Sequence, residues 1–570
     1  MIRPTGPRTA KIMVVAEGPS RGDFLAGQMF IGNTGKNFTQ MLHEAGILQT
    51  EVFMTSVCRV NVPGWDSKKY FSKYTKSNQH PKIEVMDGMK LLKEEICEVQ
   101  PNLIIALGEL SLWALTGEVG ITKWRGSILQ ASIDPSPVPS PKIIPIYSPD
   151  VIARKYDWRF IAVQDLRRCE RESHFPEVRM PDYEFIIRPD FTTVMATLEQ
   201  LVTRATEHHA TGSNGGCNTD ANPSANVPEN GSNQSDRLIL SGDIETRFGH
   251  ITCFGIGWSK TEAICIPFTC VENNKGYWSY EEELAIILKL KELFLDKRIG
   301  WVFQNGIYDL QYFAKHWGFV PYMHMDTMLA HHTCWAGLPK GLDFQSSLYC
   351  EFHRYWKDDG KAFHEGIKTP SDEEQYWVYN CKDCVTTQEI ATILPKVISD
   401  LKQDEPYAFQ MRQFVPVLRM MLRGIRVDRL RKNELGMELM DALAERENWM
   451  MDVVGRVLNP RSPKQMKEFF YEELGLPTQK SRATKKPTTN AEALATLAKK
   501  EPLIAPLVQC ITEFRSIGVF LSTFVKAPLD TDGRMRCSYN IAGTETYRWS
   551  SSSDAFGTGM NLQNVPKGNE

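Results

Sequence analysis

From Ala210 to Asp236 the chain reads ATGSNGGCNTDANPSANVPENGSNQSD. This stretch is rich in Asn, Gly, Ser and Pro and has no periodic apolar pattern, so it offers neither a helix nor a strand a face to bury. Taken with its approach as residues 205–236, it reads as a flexible linker that divides the chain into bodies folding on either side. The length of 570 residues agrees: at roughly 100 to 200 residues per domain it allows about three or four domains with separate cores. No internal repeat is visible.

Before the linker, short apolar runs alternate with longer amphipathic stretches: KIMVVA from Lys11, VFMTSV from Val52, LIIAL from Leu103 and KIIPIY from Lys142. Strands separated by helices predict a parallel α/β sheet. After the linker, RLILSGDIET, ITCFGIGWS and AICIPFT follow at hairpin distance before helical patterns begin near Glu281, which predicts a mixed sheet with helices. From about Phe409 the pattern is long and helical, broken by a polar, basic loop from Gln479 to Asn490.

Lys and Arg total 66 against 69 Asp and Glu, a net charge of −3, so any nucleic-acid surface has to be local. No apolar run approaches the roughly 18 residues of a membrane span, which removes membrane classes. The apolar run after the N-terminus, Ile12 to Ala16, is too short for a secretory signal. Thirteen Cys are scattered, with one C-x-x-C at Cys381 and Cys384. That suggests reduced thiols and a cytoplasmic location.

In Asp243-Ile244-Glu245 the carboxylates sit two apart on a predicted strand and so share a face. Asn305-Gly-Ile-Tyr308-Asp309 opens a helix after an apolar stretch, and Tyr379-Asn-Cys-Lys-Asp383 spaces a hydroxyl and a carboxylate by one helical turn. Four acids from three separate elements can meet in one cleft, as a two-metal phosphodiester hydrolase requires; the bland alternative is four unrelated surface acids. The order DIET, NGIYD, YNCKD, with Asp326-Thr-Met-Leu-Ala between the last two, resembles the DEDD 3′-to-5′ exonucleases of the Tyr subgroup, as found in proofreading domains of family A DNA polymerases. The resemblance implies that Asp243, Glu245, Asp309 and Asp383 hold two Mg²⁺ ions, that Tyr379 orients the attacking water, and that Asn305 supports the second motif. His331 and His332 read as structural.

Further on, Gly424-Ile-Arg-Val427-Asp428, Asn459-Pro-Arg-Ser462-Pro-Lys464-Gln465 and Leu474-Gly-Leu-Pro477 resemble, in order, the thumb of family A DNA polymerases. Thr544-Glu-Thr546-Tyr547-Arg548-Trp549-Ser550-Ser551 and Asn561-Leu-Gln563-Asn564-Val-Pro566 resemble the T-x-T-G-R-L-S-S and N-L-Q-N-I-P signature at the start of the palm, with Tyr547 in the Gly place and Trp549 in the Leu place. The resemblance implies DNA contacts from Lys464, Lys480, Arg482, Lys485 and Lys486, which would grip duplex phosphates without sequence preference. It implies further contacts to template and primer from Arg548, Asn561, Gln563 and Asn564. The alternative for the loop is a solvated charged surface. No D-x-S-Q-x-E motif follows before Glu570, so the expectation is no polymerisation by this chain alone. Palm and fingers would be supplied in trans by a separately encoded chain, lie beyond an intervening element, or have been lost.

At the N-terminus, Glu17-Gly-Pro19-Ser20, Gly27-Gln-Met-Phe30-Ile-Gly32-Asn-Thr-Gly35, Leu107-Gly108, Trp124-Arg125-Gly126 and Tyr147-Ser148-Pro149 are turns after predicted strands, a usual place for an α/β ligand site. Their pattern over Lys11 to Cys169 resembles the uracil-DNA glycosylase superfamily, most closely its iron-sulfur group. The resemblance implies a pocket in which Phe30 stacks on the base, Glu17 is the acid of the first motif and Ser148 stands where the family has His. Only Cys58 matches one of the four cluster cysteines, so no iron-sulfur cluster is expected.

The expectation is therefore an α/β multidomain chain that resembles the N-terminal portion of a phage-type family A DNA polymerase. Residues 1–180 would be a glycosylase-like parallel α/β/α sandwich, 205–236 a linker, 237–400 a ribonuclease H-like exonuclease, and 405–570 a mostly helical thumb with the beginning of a palm. Its partners would be primer-template DNA and single-stranded 3′ ends in a host cytoplasm, with no membrane. The alternatives are a non-catalytic DNA-binding accessory subunit completing a split polymerase, and a uracil-DNA glycosylase.

Overall fold

The computed structural model describes residues 2–64, 67–75, 77–132, 140–212, 237–271, 275–367, 369–482 and 484–565. They form two compact units, one of Met1–Asp309 with Trp317–Met411, the other of Leu310–His316 with Arg412–Glu570.

The first unit holds two sheets. In the N-terminal one, strands β1 (Ile12–Ala16), β2 (Val52–Ser56), β3 (Leu103–Leu107), β4 (Leu129–Gln130) and β5 (Lys142–Ile146) lie in the order β2-β1-β3-β5-β4. All pairings are parallel except β4 against β5, an antiparallel edge absent from the sequence expectation. Ile12, Val14 and Ala16 point into one core cluster while Met13 and Val15 point into another. A sheet buried on both faces needs apolar residues at every position, which is why the sequence shows continuous runs rather than alternation.

The second sheet contains β6 (Glu184–Ile186), β7 (Leu238–Arg247), β8 (His250–Gly257), β9 (Glu262–Pro267), β10 (Ile299–Phe303) and β11 (Met323–Asp326), in the order β11-β10-β7-β8-β9-β6. β7 to β9 form an antiparallel meander, and β6, β10 and β11 add in parallel. A long helix, α1 (Pro370–Asp400), crosses this sheet. Thr369 and Asp372 close its N-terminus as a capping box with Pro370 in the first turn.

Two expectations change here. Residues 205–212 are not linker: they end the helix Phe191–Gly212, and the remainder of that segment lies outside the described residues. The edge strand β6 also precedes the polar segment, so the second sheet begins about fifty residues before the expected 237. The sequence signal was missed because three residues, Glu184-Phe-Ile186, are too few to show a period.

Nor are the first two modules separate bodies. Arg125 and Asp165, both fully buried in the N-terminal module, pair through Nε–Oδ2 at 2.9 Å and Nη2–Oδ1 at 2.7 Å, and Arg125 Nη1 donates to Ser347 Oγ at 2.8 Å in the next module. Arg168 donates to the carbonyls of Ser347 and Cys350. Buried guanidiniums leave water only when their donors are met, so these bonds make the junction part of the core.

The second unit is mainly helical. Its helices Arg429–Val454, Ala491–Lys500 and Ala505–Phe520 share a core of Met450, Phe470, Leu494, Leu497, Ile511 and Phe514. The segment Pro502–Val525 is long and apolar enough by length and composition to cross a membrane, against the sequence reading. Its buried face belongs to this helical core.

Candidate active site

Strand β7 alternates, so Ile244 is buried in the sheet while Asp243 and Glu245 emerge together on the other face. Asp383 reaches them from α1, one turn beyond Tyr379. Ligand oxygens of Asp243, Glu245 and Asp383 all lie within 4.8 Å of one another. Asp309, at 5% exposure, joins from the short helix Ile307–Tyr312, its Oδ1 accepting the backbone N–H of Ile244 at 3.0 Å. The three sequence motifs thus meet, with Asp309 one step outside the tight trio.

The approach of α1 depends on glycine. A Cβ on Gly255, which pairs with Asp243 across β7 and β8, would sit 2.4 Å from Asn380 Oδ1 and 2.6 Å from Cys384 Sγ. With that space open, the Asn380 amide donates to Asp243 Oδ2 at 2.9 Å and to its carbonyl at 3.1 Å. Cys381 and Cys384 are buried beside the sheet, as structural thiols are. His331 is likewise structural, bonded to Tyr349 Oη at 2.7 Å and the Pro339 carbonyl at 3.1 Å.

Electrostatically the cluster is strained by its own charge. Burial, then the neighbouring Asp383, pushes the Asp243 carboxyl up to about 7. Burial and the neighbouring carboxylates push Glu245 and Asp309 well above the ordinary range. Crowded hard oxygen donors short of counter-charge fit a divalent cation, which removes the repulsion as it binds.

Three residues of the site were absent from the sequence reading. Trp356 Nε1 donates to Asp383 Oδ1 at 2.7 Å. Lys357 Nζ bonds Tyr379 Oη at 2.9 Å and pairs with Asp383 Oδ2. Burial opposes the Lys357 charge, but Asp383 and Tyr379 together outweigh it and raise its pKa. Asn380 is the third. The helix carrying Lys357, Lys357–Glu365, fits against Tyr379 because Gly360 leaves room: a Cβ there would meet the phenol ring at 2.8 Å. Asn305 holds a left-handed φ of 61° at the turn into the Asp309 helix, where its carbonyl accepts the N–H of Tyr308 at 3.0 Å. Asp326 accepts the N–H groups of Gly306 at 2.8 Å and Leu329 at 3.0 Å, tying that turn to β11.

The N-terminal module shows a different acid. Glu17, just past β1, is half-buried, and its Oε1 accepts Ser67 Oγ at 2.6 Å and the Leu110 N–H at 3.0 Å. Burial raises its pKa. Phe30 adopts φ 62° and packs on Phe38 with centroids 5.1 Å apart, and Gly35 is required because a Cβ there would fall 1.9 Å from the Phe30 carbonyl. Ser148 precedes the helix Pro149–Arg154 and makes no side-chain cap. At the carboxyl end of this sheet, where α/β domains bind ligands, a cavity of about 830 Å³ is walled by Glu109, Arg125 and Tyr147 on one side and Asp343, Phe344 and Asp358 of the second module on the other.

In the helical unit, Lys464, Lys480, Arg482, Lys485 and Lys486 are exposed. The last four share a turn closed by Ser481 N–H to the Lys486 carbonyl and Thr488 N–H to the Gln479 carbonyl, both 2.9 Å. Arg482 forms an exposed pair with Glu492. Arg548 and Asn564 are exposed, whereas Asn561 bonds Ser551 and Gln563 bonds the Trp549 carbonyl, bracing the hairpin of Ser538–Asn540 and Ser550–Ser552. Tyr547 takes φ 60°, the conformation for which the resembled motif carries Gly. Pro566 lies outside the described residues.

Family models for the uracil DNA glycosylase superfamily, 3′-5′ exonuclease and DNA polymerase family A match residues 3–167, 246–399 and 430–570. The chain carries three family modules in that order. The exonuclease match starts just after Glu245, so the meeting of Asp243 and Glu245 with Asp383 is a structural finding. Curated relatives include DNA polymerase I of Bacillus subtilis, 26% identical over 41% of this chain and 28% of that protein. DNA polymerase I of Synechocystis is 26% identical over 67% of this chain and 36% of that protein. That of Streptococcus pneumoniae serotype 4 is 27% identical over 39% of this chain and 24% of that protein. The matched parts are thus about a quarter to a third of those relatives' length. A solved structure of the POL domain of Pol1 from M. smegmatis in complex with DNA primer-template and dNTP aligns with TM-score 0.45 and 18% identity, covering 68% of this chain and 56% of that one. The exonuclease module brings with it a general dependence on divalent metal.

Proposed function

We propose that this chain is a DNA replication protein of the family A polymerase type whose central module removes nucleotides from DNA 3′ ends, with Mg²⁺ as the metal. The observation that carries this reading is the convergence of Asp243, Glu245 and Asp383 within 4.8 Å, with Tyr379 one helical turn from Asp383. Asp243, Glu245, Asp383 and, through its position beside Ile244, Asp309 would hold the metals. Bound there, the metals supply Lewis acidity for water activation and for the leaving oxygen. Tyr379 keeps its proton, because burial and then the charge of Asp383 raise its pKa, so its hydroxyl can hold a water in line with a scissile phosphate. Asn380 fixes Asp243, and Lys357 offers a cation beside the phosphate path.

In this reading Lys464 and the exposed basic turn of Lys480, Arg482, Lys485 and Lys486 grip duplex phosphates, and Arg548 and Asn564 face the primer-template. Asn561 and Gln563 act by bracing the hairpin that carries Arg548. A phage-encoded protein in a host cytoplasm fits the same reading. The test is a 5′-labelled single strand with Mg²⁺: stepwise shortening that disappears in Asp243→Ala supports the assignment, and no shortening, or shortening undiminished in that variant, refutes it.

A further inference from the structure

The residues on Asp383 that lie outside the sequence motifs, Trp356 and Lys357, sit at the end of an extended strap, residues 350–356, between two helices of the exonuclease module. Its own module holds it through Trp356, buried in the core beside Ile390 and Leu394, through His353 Nδ1 with Ser346 Oγ at 3.0 Å, and through the Glu351 N–H, which donates to Glu389 Oε1 at 2.8 Å. The glycosylase-like module adds a second set of holds nearer to Lys357. Ile128 N–H donates to the His353 carbonyl at 2.8 Å, and the Tyr355 N–H donates to Ser127 Oγ at 3.1 Å. The Tyr355 ring packs edge-on against Trp124, with centroids 5.3 Å apart. One residue past Lys357, Asp358 pairs with Lys123 at 2.5 Å. The turn 123–128 thus grips the strap on both sides of Trp356 and Lys357. The same module has spent its own acid, Glu17, on Ser67 and Leu110.

We propose that the glycosylase-like module serves as the positioning element of the nuclease centre: its 123–128 turn clamps residues 353–358 and so seats Trp356 and Lys357 on the two oxygens of Asp383. This rests on the exonuclease reading above. Ser127 and Lys123 are positioning residues. Ser127 Oγ accepts the Tyr355 N–H, and Lys123 pairs with Asp358 while lying over the Trp124 and Tyr355 rings; a displacement of about 1 Å at a reacting group can cost about 10²-fold in rate.

The test uses the full-length chain. Ser127→Ala, Lys123→Glu and the exchanged pair Lys123→Asp with Asp358→Lys are compared with wild type, with Arg8→Ala as a control that breaks the exposed Arg8–Glu98 pair of the same module. Amide hydrogen exchange of residues 353–360 is measured in metal-free protein, and single-turnover kcat and KM are measured with Mg²⁺. The expected result is faster exchange of the strap in the two single variants, and a fall in kcat of roughly 5- to 50-fold with KM within about twofold. The exchanged pair should recover most of kcat, and Arg8→Ala should match wild type. Strap exchange that quickens while kcat stays at the wild-type value overturns the proposal, as does unchanged exchange in both single variants. Wild-type protein without Asp243-dependent shortening overturns the nuclease reading, and the positioning role with it. An active wild type with indifferent clamp variants overturns the positioning role alone.

Discussion

The first unit presents two carboxylate sites on α/β sheets that have opposite characters. Glu17 has one oxygen already met by a hydroxyl and a backbone N–H. Asp243, Glu245 and Asp383 crowd together on donors from Asn380, Trp356 and Lys357, and burial with the neighbouring carboxylates holds up the protons of Asp243 and Glu245. Both sites set partly or fully buried acids against a sheet, so burial alone does not separate structure from chemistry. What separates them is whether the protein itself completes the hydrogen bonding or leaves charge for something else to neutralise.

The strongest way to break this comparison is Asp243→Ala. Exonuclease rate should fall by at least about 10³-fold, as removal of a metal-holding carboxylate from two-metal chemistry requires. Metal-free thermal stability should stay level or rise, because a repelling buried charge is gone. A melting curve in chelator checks the second half, and a marked loss of stability would make Asp243 a structural acid like Glu17. Next is Gly255→Ala. Its Cβ displaces Asn380 from Asp243, so the rate should fall by about tenfold and stability by about 1–3 kcal/mol through overpacking. Chemical denaturation alongside the nuclease assay measures both, and an unchanged rate would show that Asn380 does not tune the cluster.

On the other side, Glu17→Ala should cost about 1–3 kcal/mol by leaving the Leu110 N–H and Ser67 without a partner, while the nuclease kcat stays within about twofold. Loss of uracil excision without loss of stability would instead return Glu17 to a catalytic role. The smallest effect concerns His353, at the junction of the two modules. Burial, then the charges of Arg168 and Arg125, holds its pKa well below 6.5. A depressed pKa gives stability that is present above 6.5 and lost as pH falls below it, because the unfolded chain takes up the proton first. Unfolding free energy should decline by up to about 1.4 kcal/mol per pH unit below 6.5, and His353→Gln should flatten that slope. A parallel slope in the variant would assign the acid sensitivity elsewhere.

Much of this was legible in the sequence for physical reasons. KIMVVA and LIIAL declare strands buried on both faces, and DIET shows its carboxylates alternating with a buried Ile244. Tyr379 and Asp383 advertise one helical turn. What stayed hidden depends on tertiary docking. Trp356 and Lys357 lie in a stretch without period, and their role arises only from tertiary contacts, with Asp383 and with the strap's neighbours, among them residues 123–128 more than two hundred positions earlier. The edge strand β6 was too short to signal, and the apolar helix Ala505–Phe520 hides its partners in distant segments. Tyr547 stood out as an oddity against its motif, but only the φ of 60° gives the reason that position favours glycine.

The place of β6 has a practical meaning for handling the protein. Because the strand and the helix Phe191–Gly212 complete the nuclease sheet from the N-terminal side of the polar segment, a protease nick between Gly212 and Arg237 would not liberate two independent domains. It would leave two fragments that hold together without a covalent bond and need denaturant to part. Expressed apart, each would lack a strand or a helix that the other owns, and they would have to be co-expressed to yield soluble material.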